Sequence, residues 1–395
     1  MKLRFLVHSV FGAGGGVVRV VLNLIDDLKA RHDVELVSVF QHHDEPTHIM
    51  PSGVPLTVLV DARESAPRTG PEGLERQEAE SRPSLLIPPR EPRYAAYSRY
   101  SDSQLTRYLG TVDDGVLIGM QPGVTAAIAQ LARPSVVTVG QDHMSIRGRS
   151  SVLREQVLPY YAKLDTFLTL TERDAEVYRK RYLPTTPVVA MPNGIPEYHG
   201  AVSDGTSKVV VAVGRLSKGK GFDRLVEAWA TVVKRHPDWQ LRMYGEGDRR
   251  DALTQQIEEL GVSSSASLMG YSTTVRDEMA KASLLVLSSR TEGYPMSILE
   301  AMSCGLPVVA FDCHTGPREM IDHGTDGLLV PNGDIDGLAD AISRVIELGI
   351  DGRLAMGQAA LRKARQHSQP VISARWESLL KQLLDAKAAQ ARTPR

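Results

Sequence analysis

The amino-acid sequence predicts an α/β protein built from two parallel-sheet halves. In each half, short β-rich runs alternate with amphipathic helical stretches, which is the pattern of βαβ units. A stretch rich in proline, glycine and serine, PNGIPEYHGAVSDGTS, interrupts this alternation near residue 200. The same pattern restarts after the interruption, and 395 residues are enough for two domains with cores of their own.

The first half begins with the β-rich run LRFLVHSV, the helical stretch GGVVRVVLNLIDDLKARH and a second β-rich run, DVELVSVF. Apolar residues recur at helical spacing in the middle stretch, so the three runs predict strand, helix and strand. Four further strands are expected at GVLIGM, SVVTVG, TFLTL and PVVAM. We therefore assign residues 1–198 to the first domain.

Residues 61–93 depart from this alternation. They are rich in proline, acidic residues and arginine, and their apolar content is low apart from the run SLLI. Such a composition is typical of a segment without a core of its own, so we predict a mobile insertion. Loops of this length are often functional, which leaves open a lid over an acceptor or a contact with a partner.

The second half starts with the strand KVVVAVGRL and the helix FDRLVEAWATVVKRHP. Three more strands, QLRMYGEG, SASLMG and SLLVLSS, alternate with the helices RRDALTQQIEELG and VRDEMAKA. We assign residues 207–368 to this second domain. Residues 369–395 are expected to form a final amphipathic helix, in which Trp376 packs on a core, and a frayed tail.

Composition excludes several classes of protein. The net charge of −1 gives no basic field for nucleic acid, and 42% hydrophobic residues are ordinary for a soluble globular protein. Two cysteines are too few for a disulfide framework and suit a reducing compartment. No apolar run is long enough to span a bilayer. A cytoplasmic location is expected, and peripheral contact with the inner membrane face is left open.

A first glycine cluster, GAGGG, lies between the first strand and the first helix. Glycines there let backbone N–H groups approach an anion closely, and the start of the helix favours negative charge. The cluster also fits part of a dinucleotide fingerprint, which keeps an NAD-dependent oxidoreductase as an alternative. The acidic residue expected after the second strand of such a fingerprint is not evident in SVFQHHDE.

A second cluster, VGRLSKGKGFDRL, places Arg215 and Lys220 between a strand and a helix. Two cations in such a position suit a diphosphate whose leaving charge must be stabilised. The spacing differs from that of a P-loop, so the pattern does not favour an ATPase.

The stretch TEGYPMSILEAMSCGLPVVAFD holds two glutamates, Glu292 before a helix and Glu300 inside an apolar run. The helix is expected from about Met296 to Ser303, with a stop at Gly305. Free N–H groups of its first residues, Met296, Ser297 and Ile298, would suit phosphate oxygens. A carboxylate in the apolar run should cost free energy unless it has a partner.

These motifs together resemble one family. The spacing E-x7-E in EGYPMSILE, with PNGI, GRLSKGKGFDRL and YGEGDRRDAL before it, is similar to the retaining glycosyltransferases of family 4, the glycosyl transferases group 1. The match covers about residues 190–345. It implies the GT-B fold, in which two Rossmann-like domains face each other across a cleft and the C-terminal helix crosses back to the N-terminal domain.

The resemblance also implies a role for each matching residue. The catalytic residues would be Arg215, Lys220, Glu292 and His143. The donor-binding residues would be Gly15, Gly16, Gly214, Glu246, Gly293, Tyr294, Pro295, Met296, Ser297, Ile298 and Glu300. The acceptor residues would be His8, Asp142 and Arg147. Whether His143 or His8 lies by the reacting sugar is left open.

The implied reaction is transfer of a hexose or N-acetylhexosamine from a nucleotide diphosphate sugar, commonly UDP-linked, to an acceptor hydroxyl with retention. It needs no metal and no cofactor. Asp334 and Asp336 accordingly read as acids at a helix start rather than as metal ligands. A basic run with Arg147, Arg149 and Arg154 would suit an anionic acceptor such as a phosphate-bearing polymer, and a solvated helix start is the alternative that the pattern favours. A non-catalytic GT-B binding or partner subunit is the alternative from another class.

Overall fold

The structure, a computed structural model, describes residues 1–12, 16–65 and 70–392, and within them the chain divides into two compact units. Unit 1 consists of Met1–Gly194 and Gln369–Arg395, and unit 2 of Ile195–Ser368. The sequence placed the change of domain a few residues later, in the stretch between residues 198 and 207.

Unit 1 is built on a seven-stranded parallel sheet. Its strands are β1 (Lys2–Val7), β2 (Asp33–Gln41), β3 (Leu56–Asp61), β4 (Val116–Gly119), β5 (Val137–Gln141), β6 (Thr166–Thr169) and β7 (Val188–Ala190). Their spatial order is β3-β2-β1-β4-β5-β6-β7. The helices along this part of the chain are α1 (Gly16–Leu28), α2 (Gly70–Ser81), α3 (Arg99–Thr111), α4 (Pro122–Leu131), α5 (Ser151–Tyr161) and α6 (Glu172–Val177). The central strands are apolar on both faces because helices cover both faces of the sheet.

Unit 2 has a six-stranded parallel sheet with the order β10-β9-β8-β11-β12-β13. The strands are β8 (Val209–Val213), β9 (Gln240–Tyr244), β10 (Ala266–Gly270), β11 (Leu284–Leu287), β12 (Val308–Asp312) and β13 (Gly327–Pro331). The helices are α7 (Phe222–Arg235), α8 (Arg250–Glu259), α9 (Val275–Ala280), α10 (Met296–Ser303), α11 (Pro317–Met320), α12 (Ile335–Glu347) and α13 (Gly349–Gln366). The order is that of a doubly wound, Rossmann-like sheet.

The last helix, α14 (Gln369–Arg392), belongs to unit 1. Its residues Ile372, Trp376 and Leu380 are buried in the same core as Phe5 of β1, and the rings of Trp376 and Phe5 lie 6.3 Å apart. The chain thus returns to the first sheet after completing the second, and the amphipathic pattern of the final residues serves that packing.

Residues 61–93 differ from the predicted loop. They contain helix α2, and Pro83 forms an antiparallel bridge with Ser98. Ile87 is 2% exposed and is part of the unit 1 core, so the segment does have a buried anchor. Composition missed this because α2 is held mainly by polar contacts, such as the bond from Arg76 Nη2 to the backbone oxygen of Asp61 and the 4.8 Å approach of Arg76 to the ring of Tyr100.

Two local predictions are confirmed. Helix α10 has the predicted bounds, and Gly305 follows it with a φ of +74°. This left-handed conformation ends many helices, and glycine adopts it without steric strain. Asp334 is the N-cap of α12, where its Oδ1 accepts a hydrogen bond from the backbone N–H of Gly337 at 2.9 Å, and Asp336 lies in the first turn. Among the described helices, none is long and apolar enough to cross a membrane.

Candidate functional site

The predicted donor residues of unit 2 lie at one edge of its sheet. The strand order reverses between β8 and β11, which pair in parallel with Val211 opposite Leu285. Gly214 and Arg215 follow β8 directly, and the stretch with Glu292 follows β11. Ligands of open α/β sheets bind outside the carboxyl ends of the strands at such a reversal. Topology therefore brings two separated motifs to one place.

Lys220 and Glu292 form an ion pair at this edge. Lys220 Nζ lies 2.6 Å from Glu292 Oε1, and the side chains are 32% and 8% exposed. The same Oε1 accepts a hydrogen bond from Ser289 Oγ at 2.6 Å, and Thr315 Oγ1 donates to the backbone oxygen of Glu292 at 3.0 Å. Glu292 is thus fixed by three polar contacts. Its Oε2 is left as an acceptor for hydroxyls, and two of the three ammonium protons of Lys220 are left as donors.

Arg215 adds a second cation to this edge. Its side chain is exposed, and it has no ion pair or side-chain hydrogen bond with any residue that the structure describes. Glu246, in the loop after β9, is also exposed and accepts a 3.3 Å hydrogen bond from Arg250. The backbone oxygen of Glu246 accepts from the N–H of Leu216 at 2.9 Å, which ties the loop after β9 to the loop after β8.

The start of α10 lies in the same loop region as Glu292. Pro295 is the N-cap, and no side chain caps the helix there. The N–H groups of Met296 and Ser297 have no hydrogen-bond partner within the described part of the chain. The expectation for Ile298 is wrong in this structure, because its N–H donates to the backbone oxygen of Pro295 at 3.1 Å. Two backbone donors, not three, are therefore available to an anion.

The remaining predicted donor residues of unit 2 lie in or near the first turns of α10. Tyr294 is 8% exposed and its ring lies 6.3 Å from that of His367. The backbone oxygen of Gly293 would be 2.9 Å from a methyl group added at Gly316, so these two loops approach closely. Glu300, one turn into α10, is 7% exposed. Its predicted bond to a ribose stays a prediction.

In unit 1, His8 lies where the strand order reverses between β1 and β4. It is 6% exposed, its Nδ1 lies 3.0 Å from Tyr97 Oη, and its backbone N–H donates to Gln121 Oε1 just after β4. Burial lowers the pKa of His8 to about 3, with smaller contributions from the charges of Arg93 and His42. His8 is therefore neutral at pH 7 and can exchange hydrogen bonds but not supply positive charge.

His143 and Asp142 follow β5, one strand further from the reversal. Burial lowers the pKa of His143 to about 4, and its Nε2 is buried without a hydrogen-bond partner among the described residues. Asp142 is 2% exposed and is paired with both Nε and Nη2 of Arg149. Both oxygens of its carboxylate are thus occupied by Arg149, so Asp142 is placed to hold the local structure rather than to bind an acceptor substrate directly.

The predicted basic rim does not form as a set of three. Arg149 is buried against Asp142, and Arg154 lies over the ring of Tyr182 at 5.3 Å. Only Arg147 is an exposed cation of this run. The sequence pattern did not predict this, because it does not show which arginine forms an ion pair with a buried acid. Gly16 begins α1, whereas Gly15 lies outside the described residues.

Sequence reasoning missed four residues that complete these sites, Ser289, Thr315, Gln121 and Tyr97. Ser289 comes two residues after β11, and Gln121 comes two residues after β4. Both strands lie at a reversal of strand order, so a search of the predicted strand ends could have identified these residues. Thr315 and Tyr97 come from loops without any motif. Among the described residues, no group of three or more His, Cys, Asp or Glu side chains is placed to hold a metal ion.

Comparison with known proteins found relatives of the unit 2 sequence and of the fold. Residues 207–348, most of unit 2, match the family model described as Glycosyl transferases group 1. The structure is similar to that of a mutant of S. aureus TarM in complex with fondaparinux, α-GlcNAc-glycerol and UDP, with a TM-score of 0.75 at 17% identity over 96% of this chain and 99% of that one. It is also similar to the pneumococcal O-GlcNAc transferase GtfA in complex with UDP and GlcNAc, with a TM-score of 0.74 at 15% identity over 97% and 99% of the two chains.

The chain has the GT-B fold. Unit 2 contains the residues that match the glycosyl transferases group 1 model. Among curated proteins, an exopolysaccharide phosphotransferase of Streptomyces coelicolor is 34% identical over 404 residues, which are 98% of this chain and 41% of that protein. The poly(ribitol-phosphate) alpha-N-acetylglucosaminyltransferase of Staphylococcus aureus is 30% identical over 174 residues, 44% of this chain and 35% of that protein. This GT-B chain thus spans less than half the length of either relative.

Gly245, after β9, sets the spacing of two loops in this GT-B unit. Its φ is +142°, and a methyl group added there would lie 1.9 Å from the backbone oxygen of Gly214. We expect Gly245→Ala to destabilise unit 2 by about 1–3 kcal/mol through backbone strain, because Gly214 must move. Urea unfolding measures the effect. Gly219→Ala is the control, since a methyl group there meets no atom within 4 Å; equal behaviour of the two variants would contradict the prediction.

Proposed function

We propose that the chain is a retaining glycosyltransferase of family 4. It would transfer a hexose or N-acetylhexosamine from a UDP-linked sugar to a hydroxyl of a cell-wall or exopolysaccharide-type polymer, without a metal, in the cytoplasm. The observation that carries this proposal is the ion pair of Lys220 and Glu292 at the strand reversal of unit 2. The nearby N–H groups of Met296 and Ser297, which have no partner among the described residues, add to it. UDP in the two structural neighbours and the polymers named for the curated relatives support the donor and the acceptor class.

The donor diphosphate would lie between Arg215, Lys220 and the start of α10. Arg215 would bind it through a planar guanidinium, and Lys220 would donate hydrogen bonds from its two remaining N–H groups. The backbone N–H groups of Met296 and Ser297 would add neutral donors. All of these stabilise negative charge that grows as the sugar–phosphate bond breaks. Stabilisation of the leaving group by protein cations is the reason that the proposal requires no metal.

The sugar would lie against Glu292 and the ribose against Glu300. Glu292 Oε2 is the acceptor left after Lys220 and Ser289 have bound Oε1, so it would bind sugar hydroxyls. The acceptor hydroxyl would attack the anomeric carbon from the side of the leaving group. The bond from that carbon to the phosphate oxygen breaks, the bond to the acceptor oxygen forms, and the acceptor proton passes to the departing phosphate.

A panel of sugar nucleotides tests this function. We expect thermal stabilisation and slow hydrolysis with at least one UDP-sugar, and unchanged activity after treatment with EDTA. The anomeric configuration of the product, read by NMR, should equal that of the donor. A product of opposite configuration would refute retention, and loss of activity with EDTA that returns on adding a divalent ion would refute metal independence. Absence of both donor binding and hydrolysis would favour a non-catalytic subunit instead.

A further inference from the structure

Residues 82–97, here called the crossing segment, pack over the carboxyl ends of two central strands of unit 1. Tyr97 is 3% exposed, and its hydroxyl lies 3.0 Å from His8 Nδ1 where β1 ends. The edge of its ring packs on Phe40, near the end of β2, at 5.1 Å. The crossing segment, most of which lies in the predicted insertion 61–93, is therefore part of the edge at which a doubly wound sheet binds its ligand.

Three helices hold the crossing segment in place. Ser84 Oγ donates to Asp102 Oδ1 on α3 at 2.6 Å, and Gln130 Nε2 on α4 donates to the backbone oxygen of Leu86 at 3.0 Å. The N–H of Arg90 donates to Gln156 Oε1 on α5 at 3.0 Å. A segment with partners on three helices has a defined position, so its side chains can serve as fixed ligands.

The crossing segment also covers the start of α4, directly after β4. A methyl group added at Gly123 would lie 3.2 Å from Ile87 Cγ2 and 3.3 Å from Glu91 Cγ. The strand order of unit 1 reverses between β1 and β4. The segment therefore contacts both sides of the reversal, through Tyr97 at β1 and through Ile87 and Glu91 at α4.

Arg82, Arg90 and Arg93 are the exposed cations of the crossing segment, and the charge of Arg93 is the one that acts on His8. The guanidinium of Arg93 has no ion pair or hydrogen bond with any residue in the described part of the chain. The nearby carboxylate of Glu91 is 6% exposed and accepts a hydrogen bond from the backbone N–H of Arg93 rather than from its side chain. Arg93 is close enough to His8 to help keep the pKa of that imidazole low, after burial. At neutral pH the edge thus presents a neutral histidine and a nearby guanidinium that has no ion pair or hydrogen bond with a described residue.

We infer that the crossing segment forms a wall of the acceptor site of unit 1 and that Arg93 binds a phosphate group of the acceptor. The inference rests on the proposed function and deepens it by giving the acceptor a charge. A guanidinium binds phosphate oxygens through two parallel hydrogen bonds, which orients the group as well as attracting it. The curated relative described above as a poly(ribitol-phosphate) alpha-N-acetylglucosaminyltransferase is named for a polymer of this chemistry.

Binding of short poly(ribitol phosphate) and poly(glycerol phosphate) oligomers to the full chain tests the inference. Calorimetry at low and high salt should show binding that weakens with salt, and free ribitol should bind far more weakly. Arg93→Gln should weaken binding of at least one oligomer about 10- to 100-fold, as expected for lost charge-assisted hydrogen bonds, with UDP binding unchanged. Arg93→Lys should recover part of the loss. Arg99→Gln, which removes an exposed arginine from the start of α3, is the matched control and should bind like the wild type.

The inference is overturned if the wild type binds neither oligomer, or if Arg93→Gln binds them as tightly as Arg99→Gln does. Thermal unfolding of both variants separates a loss of contact from a loss of fold. Failure of the proposed function gives a different result, namely a wild type that neither binds nor hydrolyses any sugar nucleotide, whatever residue occupies position 93.

Discussion

Lys220→Met is expected to lower kcat by about 10²- to 10³-fold, the cost of removing one preorganised donor to a developing negative charge. The structure holds Lys220 at the strand reversal of unit 2, where its Nζ lies 2.6 Å from Glu292 Oε1. Steady-state kinetics with the UDP-sugar found in the panel measures the effect. Lys218→Met is the matched control, since Lys218 lies in the same short turn, is exposed and has no ion pair with a described residue.

The same substitution should also affect stability, and the two effects can be separated. Glu292 is only 8% exposed, so loss of its partner leaves a poorly hydrated carboxylate, at a cost of about 1–3 kcal/mol. The double variant Lys220→Met/Glu292→Gln removes that charge and should regain most of the stability without regaining turnover. Near-wild-type turnover in Lys220→Met, or recovery of turnover in the double variant, would show that Lys220 does not stabilise the leaving group.

Arg149→Met is expected to destabilise unit 1 by about 3–5 kcal/mol, the usual cost of leaving a buried charge without its partner. The side chains of Asp142 and Arg149 are 1% and 6% exposed, and they contact each other through two nitrogen–oxygen pairs. Urea unfolding followed by fluorescence measures the change. Arg147→Met, two residues earlier and exposed, should change the free energy of unfolding by less than about 0.5 kcal/mol.

The double variant Asp142→Asn/Arg149→Met should be clearly more stable than Arg149→Met, because no net charge remains buried. This separates two interpretations of the basic run. If Arg149 were part of a solvated rim, as the sequence suggested, Arg149→Met would raise the acceptor KM and leave the unfolding free energy unchanged. That result would contradict the buried pair.

The candidate site of unit 2 was largely predictable from the sequence, because its residues form contiguous motifs at strand ends. The bounds of α10, the stop at Gly305 and the N-cap at Asp334 follow from local rules, in which each residue acts on its own turn of helix. The approach of Lys220 to Glu292 was implied only by the family resemblance. The hydrogen bond that occupies the N–H of Ile298 was not predictable, because it depends on the local geometry of the turn at Pro295.

The structure of unit 1 was predicted less well, because its contacts are made by residues far apart in the chain. Strand β3, in the run LTVLVD, and helix α2 were both missed. Asp142 and Arg149 were read as neighbours of a surface site, whereas the fold buries both. The crossing segment is held by Asp102, Gln130 and Gln156, none of which stands out in the sequence.

The sequence by itself determined the alternation of strands and helices, the two-domain organisation and the motifs on which the proposed sugar-nucleotide site depends. These properties depend on periodicity and on short-range spacing, which a linear chain displays directly. Only the tertiary structure decided which charges are paired. It joined Lys220 to Glu292 and Arg149 to Asp142, and it left Arg215 and Arg93 without partners among the described residues. The physical reason is that burial and pairing of a charge depend on strand order, which brings residues together from distant parts of the chain.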